Sequence, residues 1–224
     1  MPGRFSLYPD LSVEENLRFF ATIFGTTIEE NYDLIRDIYA QIEPFRTRKA
    51  GALSGGMKQK LALSTILLAF PEIIILDEPT TGVDPLSRIE FFNIIEELKA
   101  EGKTIIIATP YLDEAEKGDE IIFIKDGKIL RKGSLKALKE TFPAKLHRIL
   151  PEGDILEVMQ SLRADENLKD DVYVCGRYLK YMQKRGTSAP FEKIPAREIR
   201  EEPPTLEDIY LYYERSGYAG SRAE

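Results

Sequence analysis

Four consecutive aliphatic residues, Ile73-Ile74-Ile75-Leu76, stop abruptly on two carboxylates, Asp77-Glu78, and a second run of the same kind, Thr104 to Ala108, follows one helical span later. Strands that are apolar at every position have no face to give to water, so the pattern predicts a parallel sheet covered on both sides. A helix expected at about 86 to 100, ending near Gly102, joins the two runs. Alternation of strand and helix places the chain in the α/β class.

The rest of the chain fits around that pair. Ser12 with Glu15 makes a capping box before Leu17, Phe20 and Phe24, and Gly25 closes the helix. Thr27 with Glu30 repeats the device before Ile35, Ile38, Tyr39 and Ile42, with Pro44 as the stop, so residues 12 to 43 read as a helical pair. Ser54 precedes a helix from about Met57 to Phe70, broken by Pro71. Past the second aliphatic run come a short acidic helix (Leu112 to Lys117), a strand at Ile121 to Ile124, an Asp126-Gly127 turn and a strand at Lys128 to Arg131. From about Phe142 the pattern loosens into a small α+β appendage: a run at Leu146 to Leu150, a helix near Ile155 to Leu162, one strand near Val172 to Met182 and a loop at Gly186 to Pro190. Thr205 then caps a terminal helix with Asp208 in the box position, and Leu206, Ile209, Tyr210 and Tyr213 make one stripe that should dock on the body.

Composition narrows the function. With 31 basic and 38 acidic residues among 224, the formal charge of -7 gives no electrostatic footprint for nucleic acid. A single cysteine, Cys175, excludes an intrachain disulfide framework and suits a reducing compartment. The start carries no basic flank and apolar core of a signal peptide. The aliphatic stretch Leu61 to Leu76 is interrupted by Ser64, Thr65, Pro71 and Glu72 and falls short of the roughly 20 residues a bilayer span needs.

Two short segments carry chemistry. Leu53-Ser54-Gly55-Gly56-Met57-Lys58-Gln59 sits where a loop becomes a helix, and there free N–H groups, the positive end of the helix dipole and two glycines favour an approaching phosphate. Alone, a Ser-Gly-Gly turn is more often a simple helix cap. Asp77 and Glu78 end a strand where open α/β sheets bind ligands. Asp77 is suited to hold Mg²⁺, and Glu78 to orient or deprotonate a water, an assistance worth on the order of 10² to 10⁴ in rate. Acidic residues that merely end a strand and cap the next turn are just as common.

The two segments in this order, followed by Pro79-Thr80-Thr81-Gly82-Val83-Asp84-Pro85, resemble the nucleotide-binding subunit of ATP-binding cassette (ABC) transporters, of the bacterial exporter type. Gly127-Lys128-Ile129-Leu130 with Gly133 is similar to that family's hairpin after the core, and Pro204 to Ile209 to its C-terminal docking helix. The resemblance implies a partial P-loop NTPase core over residues 1 to 140, with a helical subdomain at about 10 to 70 and core at 71 to 140. Residues 141 to 224 are then an accessory region with its docking helix at 205 to 215. Ser54, Gly55, Gly56 and Met57 would be the signature loop, which in the family contacts the γ-phosphate of ATP held by the opposite subunit. Asp77 matches the Walker B aspartate and metal ligand, Glu78 the catalytic glutamate, and Asp84 the D-loop residue. Helices 12 to 43 match the subdomain that presses on the membrane partner. ATP and Mg²⁺ are the implied cofactors, most of their grip coming from a partner subunit. A second nucleotide-binding subunit and a transmembrane permease are the implied partners, and the implied location is cytoplasmic, at the inner face of the membrane through the permease.

The sequence departs from the pattern at three places. The expected phosphate loop, Gly-x-x-x-x-Gly-Lys-Ser/Thr, does not occur in these 224 residues: Gly102-Lys103-Thr104 has Glu97 where the first glycine belongs and leads into a strand rather than out of one. Gly3 stands where the family's Q-loop carries glutamine, and Pro110 where its switch histidine stands; the one histidine, His147, lies far downstream with a surface or core role expected. The reading is therefore an export-type ABC ATP-binding subunit, truncated or degenerate, that lends its signature face to a partner's ATP and does not hydrolyse ATP alone. The alternatives are a non-catalytic accessory or regulatory protein on an ATPase remnant and, more distantly, a soluble ABC ATPase of translation or DNA repair. In the family's sheet order, a strand leading into the phosphate loop lies between those matching 104 to 109 and 120 to 125. Without it, those two are expected to close on each other or to need a partner.

Overall fold

The computed structural model describes residues 7–163, 171–187 and 191–215. They form two compact units that divide between Pro110 and Tyr111. The sequence changes character near residue 140, but the division falls earlier because the hairpin at 121–133 shares a core with the terminal helix.

The first unit begins with α1 (Val13–Phe24), α2 (Tyr32–Tyr39) and α3 (Gly55–Leu67). Ser12 and Glu15 close the expected capping box, and Gly25 at φ 70° ends α1 in the left-handed conformation that suits glycine. Thr27 and Glu30 also bond reciprocally, at 2.9 and 3.1 Å, yet α2 starts later, at Tyr32. The box there closes a turn, since Asn31 is diverted to the carbonyl of Leu68 at 3.0 Å. α3 begins at its Ser54 cap and stops at Leu67, before Pro71, and Phe70 takes φ 49°. Asn16, fully buried, donates to the carbonyls of Tyr8, Leu11 and Ser12 and accepts from the Tyr8 amide at 2.8 Å, pinning the entry loop to α1.

β1 (Ile73–Asp77), α4 (Pro85–Ala100) and β2 (Thr104–Ala108) complete the unit as a right-sized β-α-β element, with β1 and β2 parallel and Ile73 opposite Thr104. Ile74 and Leu76 face inward against Leu61, Leu63, Phe91 and Ile95. The other face is open rather than covered as the aliphatic strands predict: Ile73, Ile75 and Ile106 are 58%, 60% and 52% exposed. Gly102, at φ 88°, closes α4 and feeds β2, so Gly102-Lys103-Thr104 is a helix-to-strand turn.

The second unit runs α5 (Leu112–Ala115), β3 (Ile121–Lys125), β4 (Lys128–Gly133), α6 (Leu135–Glu140), β5 (Ala144–Pro151), α7 (Ile155–Arg163), β6 (Val172–Cys175), β7 (Tyr178–Lys184), β8 (Ala196–Glu202) and α8 (Leu206–Arg215). β3 and β4 make an antiparallel hairpin through Asp126 and Gly127, both at positive φ. The single strand expected over 172–182 is a hairpin turning at Gly176 (φ 59°), and β8 and α6 were not foreseen. β6-β7-β5-β8 form one antiparallel sheet. α7 packs with Ile149, Leu179 and Tyr181. Leu211 and Tyr212 of α8 pack with Leu146, Tyr173 and Met182, while Leu206, Ile209 and Tyr213 join Ile121, Phe123, Leu138 and Phe142. β8 sits at one edge with Arg197, Glu198, Arg200 and Glu201 along it, charges that discourage further pairing.

A buried polar cluster fixes α8. Asp208, 1% exposed, accepts from Lys180 Nζ at 3.0 Å, from the Thr205 amide and hydroxyl at 2.7 Å each, and from the Tyr173 hydroxyl. Burial alone would raise the Asp208 carboxyl, but the hydrogen bonds from Tyr173, Thr205 and Lys180 outweigh it and hold it below its ordinary value. A carboxyl lowered in the folded state stabilises above its unfolded pKa and loses that contribution as pH falls through the lower folded value. Thermal melts should therefore weaken as this carboxyl protonates below about pH 4. Asp208→Ala leaves Lys180 paired with Glu202 at 3.3 Å but removes the acceptor of the Tyr173 and Thr205 hydroxyls, and should cost about 1–3 kcal/mol in urea unfolding at pH 7.

Candidate functional site

The first unit brings the Ser54–Met57 turn against the turn that follows Asp77-Glu78. Ser54 caps α3 with its hydroxyl toward the Met57 amide at 3.4 Å, and Asp84 caps α4 by accepting from the Ser87 amide at 2.9 Å. That amide holds the Asp84 carboxyl below its ordinary pKa, as an anion at a helix N-terminus. The two helix starts touch through the glycines. A Cβ on Gly55 would stand 2.9 Å from the carbonyl oxygen of Gly82, and one on Gly56 would overlap the Oγ and Cβ of Ser87. Glycine is required at both positions by the closeness of a neighbour and not by an unusual φ, since both lie in helix. The outward side stays open: Ser54 and Asp84 are exposed, Gly55 and Met57 half-buried.

Asp77 and Glu78 lie at the carboxyl end of β1, and both are exposed. Asp77 pairs in register with Ala108, the last residue of β2. Glu78 leaves the strand at φ 44°, in the left-handed region that a side chain disfavours, and its amide donates to the Ala108 carbonyl at 2.8 Å. Such strain persists where the surroundings over-determine it, a frequent property of functional positions. Thr81 donates its hydroxyl to Glu78 Oε2 at 3.2 Å and its amide to the Glu78 carbonyl at 3.2 Å, so the turn orients the carboxylate. Hard, exposed carboxylate oxygens beside open helix N-termini are a donor set that suits a magnesium nucleotide. Among the described residues no three His, Cys, Asp or Glu side chains cluster as an all-protein metal site.

The sequence-predicted residues Ser54 to Met57 and Asp84 thus meet, and Asp77 and Glu78 stand at the start of the turn that leads to Asp84. Ser87 and Thr81 were missed. Nothing local marks Ser87 as the partner of Gly56; Thr81, three residues beyond Glu78, could have been found as a turn residue. Gly3 lies outside the described residues, and Pro110 is exposed just past β2. His147 is buried, bonded through Nε2 to Gln183 Oε1 at 2.8 Å and set against Phe191, which is the expected packing role.

The tight seam gives a direct expectation. Gly56→Ala should destabilise the first unit by about 1–3 kcal/mol in chemical unfolding, as overpacking does, and Ser87→Gly in the same chain should return a large part of it.

The chain is similar to several known proteins. Residues 35–110 match a family model described as "AAA domain, putative AbiEii toxin, Type IV TA system". The chain is 33% identical over 219 residues, 94% of its length, to the probable multidrug ABC transporter ATP-binding protein YbhF of Escherichia coli, of which it spans 38%. It is 38% identical over 139 residues to the Nod factor export ATP-binding protein I of Burkholderia lata, covering 61% of this chain and 46% of that one. The chain therefore spans less than half the length of these two relatives. Among solved structures, an ATP-binding subunit of an ABC transporter aligns with a TM-score of 0.54 at 30% identity, covering 61% of this chain and 58% of the other. The dimeric cassette MJ0796 aligns with a TM-score of 0.51 at 29% identity, covering 59% and 60%. Over the part of those proteins that it spans, the chain has the α/β fold of ABC cassettes and is similar in sequence to ATP-binding subunits of ABC transporters.

Proposed function

We propose that this chain serves an ABC-type export system by presenting Ser54, Gly55, Gly56 and Met57, with Asp84, to ATP bound on a partner subunit. The observation that carries the reading is the contact between the two helix starts. Gly55 against Gly82 and Gly56 against Ser87 set the α3 and α4 N-termini side by side with their outward faces open, so that their dipoles point at one anionic ligand. In the same reading Asp77 holds Mg²⁺, which when bound offsets charge on the phosphate oxygens, and Glu78, oriented by Thr81, orders and deprotonates water. Pro110 in place of a switch histidine supports a surface lent to a partner over a self-sufficient site.

A permease partner is supported by an aromatic patch on the first unit. Tyr8, Phe19, Ile23 and Phe24 are exposed, and the Tyr8 and Phe19 rings meet edge-on at 4.6 Å. Exposed rings of this size, clustered on one helix and its entry loop, mark a protein-contact surface. No helix among the described residues is long and apolar enough to cross a membrane, consistent with attachment through such a partner. The division into an ATPase-type portion to about 140 and an accessory region beyond belongs to the same proposal. The alternative, an accessory or regulatory protein, draws on the second unit, which has cores of its own.

The test is a mixed complex of this chain with an intact ABC ATP-binding subunit and its permease. Ser54→Arg in this chain removes the hydroxyl that caps α3 and places bulk and charge on the open face, and should lower ATP hydrolysis by the complex at least roughly tenfold, as loss of a transition-state contact does. Unchanged hydrolysis would sink the proposal.

A further inference from the structure

The seam between α3 and α4 has a second rung one turn in from the glycines. Gly56 and Lys60 are four residues apart on α3, and Ser87 and Glu90 three apart on α4, so each pair lies on one face of its helix. The first rung is the close approach of Gly56 to Ser87. The second is an ion pair, Lys60 Nζ to Glu90 Oε2 at 2.6 Å. The Lys60 side chain keeps only 11% of its exposure, so its stem is held in place by packing, while Glu90 keeps 43% and the pair closes at the rim of the first unit's core. Ser64 donates to the Lys60 carbonyl at 2.9 Å, tying the same turn of α3 from behind.

The two rungs do different work. A glycine contact limits how closely two helices approach, but with no side chain it resists neither sliding nor rotation. Aliphatic packing is also tolerant of small shifts, since apolar contacts re-form after repacking. A short charge-assisted hydrogen bond from an ammonium on a packed side chain to a carboxylate is directional, and shifting either helix stretches it. Resting on the reading of Ser54–Met57 and Asp84 as a nucleotide-facing surface, we propose that Lys60 and Glu90 are a positioning pair. They set the register of α3 against α4, and through it the presentation of the Ser54–Met57 turn beside Asp84. Neither residue touches the ligand in this assignment.

Amide hydrogen exchange on the full chain tests it. Lys60→Glu and Glu90→Lys should each speed exchange by roughly tenfold at Met57 and Lys58, whose amides bond to Ser54, and at Ser87 and Arg88, whose amides bond to Asp84, leaving the β5 and β7 amides of the other unit unchanged. The charge-swapped double variant should return exchange to within about twofold of the parent, which a merely space-filling role would not do. Should the charge reversals unfold the chain, Lys60→Arg is expected to keep the parent pattern and Lys60→Gln to show the acceleration. Single variants that leave those amides unchanged, a swap as fast as the singles, or Lys60→Gln behaving as Lys60→Arg would each overturn the proposal. The mixed-complex ATPase separates the two ideas. Rescue by the swap with no effect of Ser54→Arg keeps the positioning pair and removes the nucleotide-facing role, while the reverse pattern does the opposite.

Discussion

The approach of Gly55 and Gly56 to the turn at Gly82–Ser87 is the constraint on which the first unit's organisation depends. Helix starts repel each other when their N–H groups point the same way, so two of them side by side need a compensating reason to stay close. Here apolar burial behind them supplies it: Leu61, Leu63, Phe91 and Ile94 share one core, and the absence of side chains at 55 and 56 lets the backbones come near enough to form it. Each helix start carries amides that its own helix does not bond and the positive end of its dipole, which an anionic group offsets. Asp84 does part of that from within, as the cap of α4.

β1 and β2 deliver the acidic residues to the same unit by a different route. Their parallel register sets Asp77 beside Ala108, and the amide of Glu78, turned into the left-handed region, bonds back to Ala108. The strained residue is thus held by the end of the neighbouring strand and by Thr81. The price of that geometry is modest because the ladder, the turn and the buried Pro79 and Thr80 all support it. The second unit uses another strategy, in which a buried Asp208–Lys180 pair, with Tyr173 and Thr205, gives α8 one seat on the sheet where apolar contacts alone would allow several.

Much of this was legible residue by residue. Ser12, Ser54, Asp84 and Thr205 are caps recognisable from local chemistry, because a cap uses a side chain two or three residues from its partner. Gly25 and Gly102 end helices, and Asp126-Gly127 turns a hairpin, for equally local reasons. Where a local signal served a different purpose, the reading slipped: Thr27 and Glu30 close a box on a turn, and Gly176 splits what looked like one strand into two. β8 is not legible in the sequence because an edge strand rich in Arg and Glu carries no hydrophobic alternation.

By itself the sequence determined the α/β class, the helix caps, the aliphatic strands and the two chemical segments, since each is written in residues close together along the chain. Only the tertiary structure decided that Gly56 meets Ser87, that Lys60 meets Glu90, and that Asp208 is neutralised by Lys180 from another element. It also left Ile73, Ile75 and Ile106 open to solvent, against the expectation from their composition. The physical reason is common to all four: packing depends on which surfaces the folded chain brings within a few ångströms, and that is a property of three-dimensional closure rather than of spacing along the sequence.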